Sequence, residues 1–372
     1  MREAAHGLAT RGFDVEVLTT CAWSHYTWAN DLPAGTTRDG EVRVRRFPIE
    51  HPSSLDAWAK IDVRLNDGER LTAEEELRWA SGRLRVPALY HHLLTSSHDA
   101  VVFSPYLAWT TVACAPVVAD RAIVMPCFHD ERAARLGIFR GLLGGGAAAW
   151  FLSEPERDLA ASIGPVGPRP CVTGAGVHVP SRHDAERFRA RYAITRPFAL
   201  YAGRRELLKG WDRLADTYLA ARAHLDLDLD LVTFGANELR EDLRHAPGII
   251  DLGAIPDQDV PDAFAAAAVY VQPSRNESFS RTVMESWLAG TPVLADGGGA
   301  VVAWHVRRSQ AGLLYGDDHE LARALQLFGS RPEVARRLAA PGRSYVLENY
   351  SWDVVLDRMA ASLLDVCLAR AS

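Results

Sequence analysis

Residues 199–221 read ALYAGRRELLKGWDRLADTYLAA. An apolar run ends at Gly203, Arg204 and Lys209 sit in the short loop that follows, and an amphipathic helix pattern takes over from Gly210. Cations just beyond the carboxyl end of a strand stand where open α/β sheets bind their ligands. Residues 274–290, SRNESFSRTVMESWLAG, repeat the arrangement: a strand before them, a turn carrying Glu277, then a helix whose expected cap is Ser278 or Ser280. Backbone N–H groups near Phe279 and Ser280 are then aimed at the crevice, where they suit anionic oxygens. Glu285 falls about one turn into the same helix. Two cations, unpaired amides and two carboxylates are what a nucleotide-diphosphate sugar asks for: charge neutralisation for the diphosphate, and acceptors for vicinal hydroxyls.

Outward from these two segments, strand and helix patterns alternate along the chain, which indicates a parallel α/β architecture. In the first half VEVLTT (15–20), EVRVRRF (41–47), AVVFS (100–104), AIVMP (122–126) and AAWFLS (148–153) read as strands. The helical run 72–94 contains Pro87, which breaks or kinks it. A Pro/Gly-rich stretch at 162–184 reads as a hinge. Beyond it PFALYAG (197–203), LDLVTFG (229–235), GIIDLG (248–253), VYVQPS (269–274) and TPVLAD (291–296) read as strands, with helices near 210–224, 238–245, 258–267, 281–289 and 318–328. The chain thus divides into two similar α/β domains.

The 372 residues are 48% hydrophobic and 24% charged, ordinary for a globular protein, and the net charge of −6 gives no basic footprint for nucleic acid. Five widely spaced cysteines (Cys21, Cys114, Cys127, Cys171, Cys367) form no CxxC pair and no zinc spacing, which favours a reducing, cytoplasmic setting and no metal. No apolar run reaches the eighteen or so residues of a spanning helix. The run 131–143, ERAARLGIFRGLL, has two readings, a helix packed on the sheet or one lying on a membrane, and the first is the commoner origin of such a pattern. The alternation of Asp226, Asp228 and Asp230 fits a solvated strand entry better than an Asp-x-Asp metal pair. His91 and His92 read as part of a surface helix with no metal partner. Trp23, Trp28, Trp58 and Trp79 fit either core positions or rings that stack on sugars.

GR-x4-K at 203–209, E-x7-E at 277–285 and AGTPVLA at 289–295 together resemble the retaining family-4 glycosyltransferases of GT-B fold. VLTT after RGFD, PCFHDE (126–131), FLSEPERD, GLLYGDDHELARAL and ENYSWDVVLDRM (348–359) follow in the order of that family, so the likeness covers nearly the whole chain. It implies two Rossmann-like domains facing across a cleft. The first is an acceptor-side domain over 1–175, with 350–372 as a closing helix that crosses back to it; the second is a nucleotide-sugar domain over 176–349. It also implies roles. Arg204 and Lys209, beside Gly203, grip the diphosphate. Glu277 accepts from the donor sugar's hydroxyls, the Ser278-Phe279-Ser280 amides reach the donor, and Glu285 binds the ribose. His129 approaches the reacting sugar from the first domain. Catalysis is assigned to His129, Arg204, Lys209 and Glu277, with retention and with neither protein nucleophile nor metal or other cofactor. The acceptor is a glycan, a lipid-linked sugar or a small molecule. Peripheral contact at the inner face of a membrane is compatible with the family.

The sequence departs from the family in two places. GVH at 176–178 stands where GVD is usual. The first strand of the N-terminal domain and its Gly-rich loop are missing ahead of MREAAHGLATRGFDVEVLTT, as in a truncated reading frame. That strand belongs mid-sheet, so its loss leaves unpaired edges. This keeps two rivals open: a non-catalytic nucleotide-sugar-binding protein, and a GT-B nucleotide-sugar epimerase.

Overall fold

The computed structural model describes residues 1–371. Two compact units divide the chain: Met1–Gly176 together with the segment from Trp352 onward, and Val177–Ser351. The first unit runs α1 (Arg2–Ala9), β1 (Glu16–Thr20), β2 (Gly35–Asp39), β3 (Val42–Phe47), α2 (Asp56–Asp67), α3 (Ala73–Ser81), α4 (Pro87–Thr95), β4 (Val101–Phe103), α5 (Trp109–Cys114), β5 (Ala122–Val124), α6 (Gly137–Gly145), β6 (Ala148–Phe151), α7 (Glu154–Ile163) and β7 (Pro170–Val172). The second runs α8 (Ala185–Arg191), β8 (Phe198–Ala202), α9 (Trp211–His224), β9 (Asp230–Phe234), β10 (Ile249–Asp251), α10 (Val260–Ala266), β11 (Val269–Gln272), α11 (Arg281–Leu288), β12 (Val293–Asp296), α12 (Ala300–Ser309), β13 (Gly312–Tyr315), α13 (Asp318–Ser330), α14 (Pro332–Ala339) and α15 (Gly342–Tyr350). The last helix, α16 (Trp352–Ala371), belongs to the first unit.

In the second unit a six-stranded sheet has the order β10-β9-β8-β11-β12-β13 and is parallel throughout. β8, β9, β11 and β12 are buried at every position, as strands covered on both faces must be, and their sequences are correspondingly apolar. In the order β10-β9-β8-β11-β12-β13 the direction of winding reverses at β8/β11, the kind of switch point at which open α/β sheets bind their ligands. The loops after those two strands carry the GR-x4-K and E-x7-E segments.

The first unit holds two sheets, β1-β3-β2 and β4-β5-β6-β7, rather than one. β1 and β3 are parallel, β2 and β3 antiparallel, and the four-stranded sheet is parallel. A core of Phe47, Leu89, Leu93, Phe103, Phe128 and Phe139, with their buried neighbours, packs in this unit.

Some expectations hold and others are corrected. The stretch 162–184 is not all hinge, because β7 lies within it and pairs with β6. The helix expected at 238–245 shrinks to a single turn, Glu241–Leu243. The run 72–94 breaks into α3 and α4 with Pro87 at the start of α4, where its missing N–H is not needed. α6 turns Phe139 and Leu143 into the core. His92 is not on the surface: it is half-buried against Phe47 and His98, and burial lowers its pKa. Trp23 is 80% exposed and is no core residue, while Trp28 and Trp79 pack against the core. All five cysteines are free thiols.

Candidate functional site

The loop beyond β8 is set by two adjacent arginines with opposite fates. Arg205 turns inward: its guanidinium donates to the carbonyls of Gly235 (3.0 Å) and Asn237 (2.5 Å) and pairs with Asp251. Arg204 turns outward, its own carbonyl held by the Tyr201 hydroxyl at 2.6 Å, and pairs with Glu206 at 3.1 Å. A short turn, Leu207–Lys209, then leads to Gly210 at φ 74°. A Cβ there would lie 2.8 Å from the Pro273 carbonyl oxygen, so glycine allows the start of α9 to approach the end of β11. That approach brings the Lys209 ammonium to 2.7 Å from Glu277 Oε1. The two side chains, 25% and 15% exposed, join the two ligand-facing loops in one ion pair.

The turn carrying Glu277 is clamped by Gln272, a buried amide at the end of β11. Its Oε1 accepts the Ser274 N–H at 3.1 Å, and its Nε2 donates to Ser280 Oγ at 2.8 Å. Ser280 caps α11 by position but not by side-chain bond, and it sits in the left-handed region at φ 69°. Its hydroxyl serves the clamp instead. Phe279 is buried, its ring against Tyr350 (4.9 Å) and His305 (5.4 Å). Glu285 lies past the first turn of α11, with Arg281 at 3.9 Å; burial raises its carboxyl pKa. Next to this loop, Asp296 is buried and accepts from Arg213 (2.9 Å), Arg275 (3.0 Å) and the Gly298 N–H (2.8 Å).

His129 belongs to the first unit. The segment before it is anchored by Glu156, a buried carboxyl that accepts the N–H groups of Phe128 (2.7 Å) and Leu152 (2.6 Å). Burial pushes Glu156 up to about 8, against the pull of those donors. His129 Nδ1 stands 3.7 Å from Glu131, which also accepts the Tyr106 hydroxyl at 2.6 Å. Burial tends to raise the Glu131 pKa, but bonds from His129 and Tyr106 outweigh it and the net shift is downward.

The structure thus gathers Gly203, Arg204, Lys209, Glu277, Ser278, Phe279, Ser280 and Glu285 around the ends of β8 and β11, and sets His129 in the other unit. Sequence reasoning missed Gln272, Arg213 and Asp296, and it did not separate the buried Arg205 from Arg204. A Gln closing the apolar run VYV was the one available signal, since a polar side chain there needs partners. Asp228 and Asp230 pair with Arg196 and Arg222. Among the described residues no group of three or more His, Cys, Asp or Glu is placed to hold a metal, and no helix is long and apolar enough to cross a membrane.

Two α/β units, the second with a wholly parallel sheet and with cations and carboxylates in the loops beyond its strand ends, define a GT-B glycosyltransferase architecture. The model of the family described as glycosyl transferases group 1 matches residues 196–328. The chain is 30% identical over 391 residues to D-inositol 3-phosphate glycosyltransferase 1 of Catenulispora acidiphila, a match covering 96% of this chain and 88% of that protein. The chain therefore belongs to the glycosyl transferases group 1. Its matches to D-inositol 3-phosphate glycosyltransferases of three Streptomyces species span only 22–23% of their length. Among solved structures, sucrose-phosphate synthase from Thermosynechococcus elongatus superposes with TM-score 0.72 at 18% identity, covering 100% of this chain and 93% of that one. The HepE protein of Anabaena, solved in complex with UDP and glucose, gives TM-score 0.66 at 15% identity, covering 97% and 95%. These structural likenesses establish the shared fold.

Proposed function

We propose that this protein transfers a sugar, with retention, from a nucleotide-diphosphate sugar to a glycan, lipid-linked or small-molecule acceptor. The observation that carries the reading is the Lys209–Glu277 pair, which places a cation for phosphate and a carboxylate for hydroxyls within one bond of each other. When donor enters, the diphosphate takes the ammonium, and Glu277, released from it, accepts from the sugar hydroxyls. Arg204, half-exposed, swings from Glu206 to the second phosphate. The amides of Phe279 and Ser280 at the start of α11 face the same anion, and Glu285 accepts from the ribose.

In the transfer the bond between the anomeric carbon and the phosphate oxygen breaks, and the acceptor oxygen bonds that carbon on the same face. The acceptor proton passes to the departing phosphate. Charge builds on the diphosphate, and the reading assigns its neutralisation to Arg204 and Lys209 rather than to a metal ion. Removing one such preorganised donor costs on the order of 2.7–4 kcal/mol of barrier, about 10²–10³ in rate. His129 is assigned to the sugar undergoing transfer. The name of the Catenulispora relative supports a small phosphorylated acceptor, and the UDP and glucose of the Anabaena structure support a nucleotide-sugar donor.

The test is a thermal-shift screen of nucleotide sugars followed by a transfer assay with the best donor. Lys209→Ala should weaken nucleoside-diphosphate binding at least about tenfold while nucleoside binding changes little; equal losses for both ligands would refute the phosphate assignment. Nucleotide binding without turnover would make the protein a binding module, and isomerised donor without acceptor would make it an epimerase.

A further inference from the structure

Two acids follow His129 in the sequence, Asp130 and Glu131, and they have different uses. Asp130 Oδ1 accepts from Arg135 at 2.5 Å. Glu131 presents its Oε1 to the imidazole instead, 3.7 Å from His129 Nδ1. The same oxygen accepts the Tyr106 hydroxyl at 2.6 Å, and the Glu131 N–H donates to the His129 carbonyl at 2.9 Å.

Tyr106 is 1% exposed and bonds both ends of the segment 126–131. Its backbone N–H donates to the Pro126 carbonyl at 3.0 Å and its hydroxyl to Glu131. Between those anchors its ring lies 4.5 Å from Phe128 and 4.7 Å from Phe139. Glu131 alone is a long, half-exposed side chain with rotamer freedom to lose. The bond from a buried, rigid tyrosine sets its carboxylate by reference to the core.

That placement decides where the histidine carries its proton. A neutral imidazole has one N–H and one bare nitrogen, and the partner of one nitrogen fixes the state of the other. A carboxylate on the Nδ1 side attracts an N–H and repels a lone pair. Burial works to raise the Glu131 pKa, but bonds from His129 and Tyr106 bring it below the usual carboxylate value, so the group is ionised at neutral pH.

We propose that Glu131 and Tyr106 are positioning residues for His129: they hold the proton on Nδ1 and leave Nε2 bare, as a hydrogen-bond acceptor for a hydroxyl of the sugar undergoing transfer. The inference rests on the assignment of His129 to that sugar and deepens it. A histidine so held meets a neutral hydroxyl, and the charge of the diphosphate falls to Arg204 and Lys209.

The test reads the tautomer directly. Ring-nitrogen NMR of the histidine-labelled full chain at neutral pH, with the His129 signals assigned by their loss in His129→Gln, should show Nδ1 protonated and Nε2 bare. Glu131→Leu should shift the proton toward Nε2. The same variant should lower kcat at least about tenfold while donor KM changes less than about threefold. The rate measured is release of UDP from UDP-glucose, or of the matching nucleoside diphosphate from the nucleotide sugar of greatest thermal shift. Tyr106→Phe keeps the carboxylate and hence the tautomer, and should lower kcat by a smaller factor because the carboxylate is no longer fixed. A parent chain with Nε2 protonated, or a Glu131→Leu chain that keeps the proton on Nδ1, would overturn the positioning role whatever the activity. His129→Gln with undiminished kcat would instead overturn the sugar contact on which the role depends.

Discussion

Gln272 bonds both ends of the turn that carries Glu277, and a hydrocarbon of similar size at that position leaves the Ser274 N–H and the Ser280 hydroxyl without it. Unpaired buried groups of this kind cost about 1–3 kcal/mol. Gln272→Leu should lose that much stability in urea unfolding and should also loosen donor binding; a variant as stable as the parent would show that the turn supports itself. Below the same turn lies His305, fully buried, its Nδ1 2.8 Å from the Tyr345 hydroxyl. Burial holds its pKa down to about 3. The folded value is thus below the unfolded one, near 6.5. Stability is complete above the unfolded value and is lost as pH falls from there toward 3, because only the unfolded chain gains the proton. Between pH 7 and pH 5 the loss is about 2 kcal/mol. His305→Gln keeps a partner for Tyr345 and lacks the titration, so its stability should fall less over that interval. Equal falls in parent and variant would remove His305 as the cause.

At the scale of elements, the approach of the α9 start to the end of β11 depends on Gly210. Alanine there meets both a left-handed φ and the Pro273 carbonyl. Gly210→Ala should cost more than the roughly 1 kcal/mol of an ordinary left-handed site and should weaken nucleoside-diphosphate binding through displaced Lys209. Unchanged affinity would mean that Lys209 does not depend on the turn. The strands flanking this turn were legible because FALYA, DLVTF and VYVQ, buried on both faces, read as apolar runs. Those that escaped notice are short and lie at sheet edges: GTTRD, mostly exposed in β2, and PCV in β7. β13, also an edge strand, is buried only at Tyr315. In α12, AVVAWHVRRS opens on an apolar stretch whose spacing marks no helix face. The candidate donor residues were legible because charges in strand-end loops have few structural uses. Arg205 shows the limit of that rule: sequence gives it the same standing as Arg204, and only the Gly235 and Asn237 carbonyls and Asp251 reveal that it braces the loop from within.

At the scale of the whole molecule, the two units differ in how the chain builds them. The second is continuous, Val177–Ser351, whereas the first needs its last helix returned from the far end of the sequence. α16 buries Val355, Leu356, Met359 and Val366, and Ser362 accepts the Trp150 indole N–H at 2.9 Å. The Trp352 ring lies against Gly176, where any Cβ would come within 2.3 Å of it. Burying four such side chains contributes on the order of 1.5–3 kcal/mol each, comparable in sum with the entire stability of a typical domain. Fragment 177–351 should therefore unfold cooperatively on its own, and it should keep nucleoside-diphosphate affinity within about tenfold of the full chain, since Arg204, Lys209, Glu277 and Glu285 all lie inside it. Fragment 1–176, deprived of α16, should show a broad transition and exposed apolar surface, and adding 352–371 as a separate peptide should sharpen that transition. Circular dichroism during urea unfolding, with nucleotide titration of the second fragment, checks both halves. A cooperative 1–176 fragment would show that α16 is dispensable to the first unit. A folded 177–351 fragment without nucleotide affinity would place an essential part of the donor site in the first.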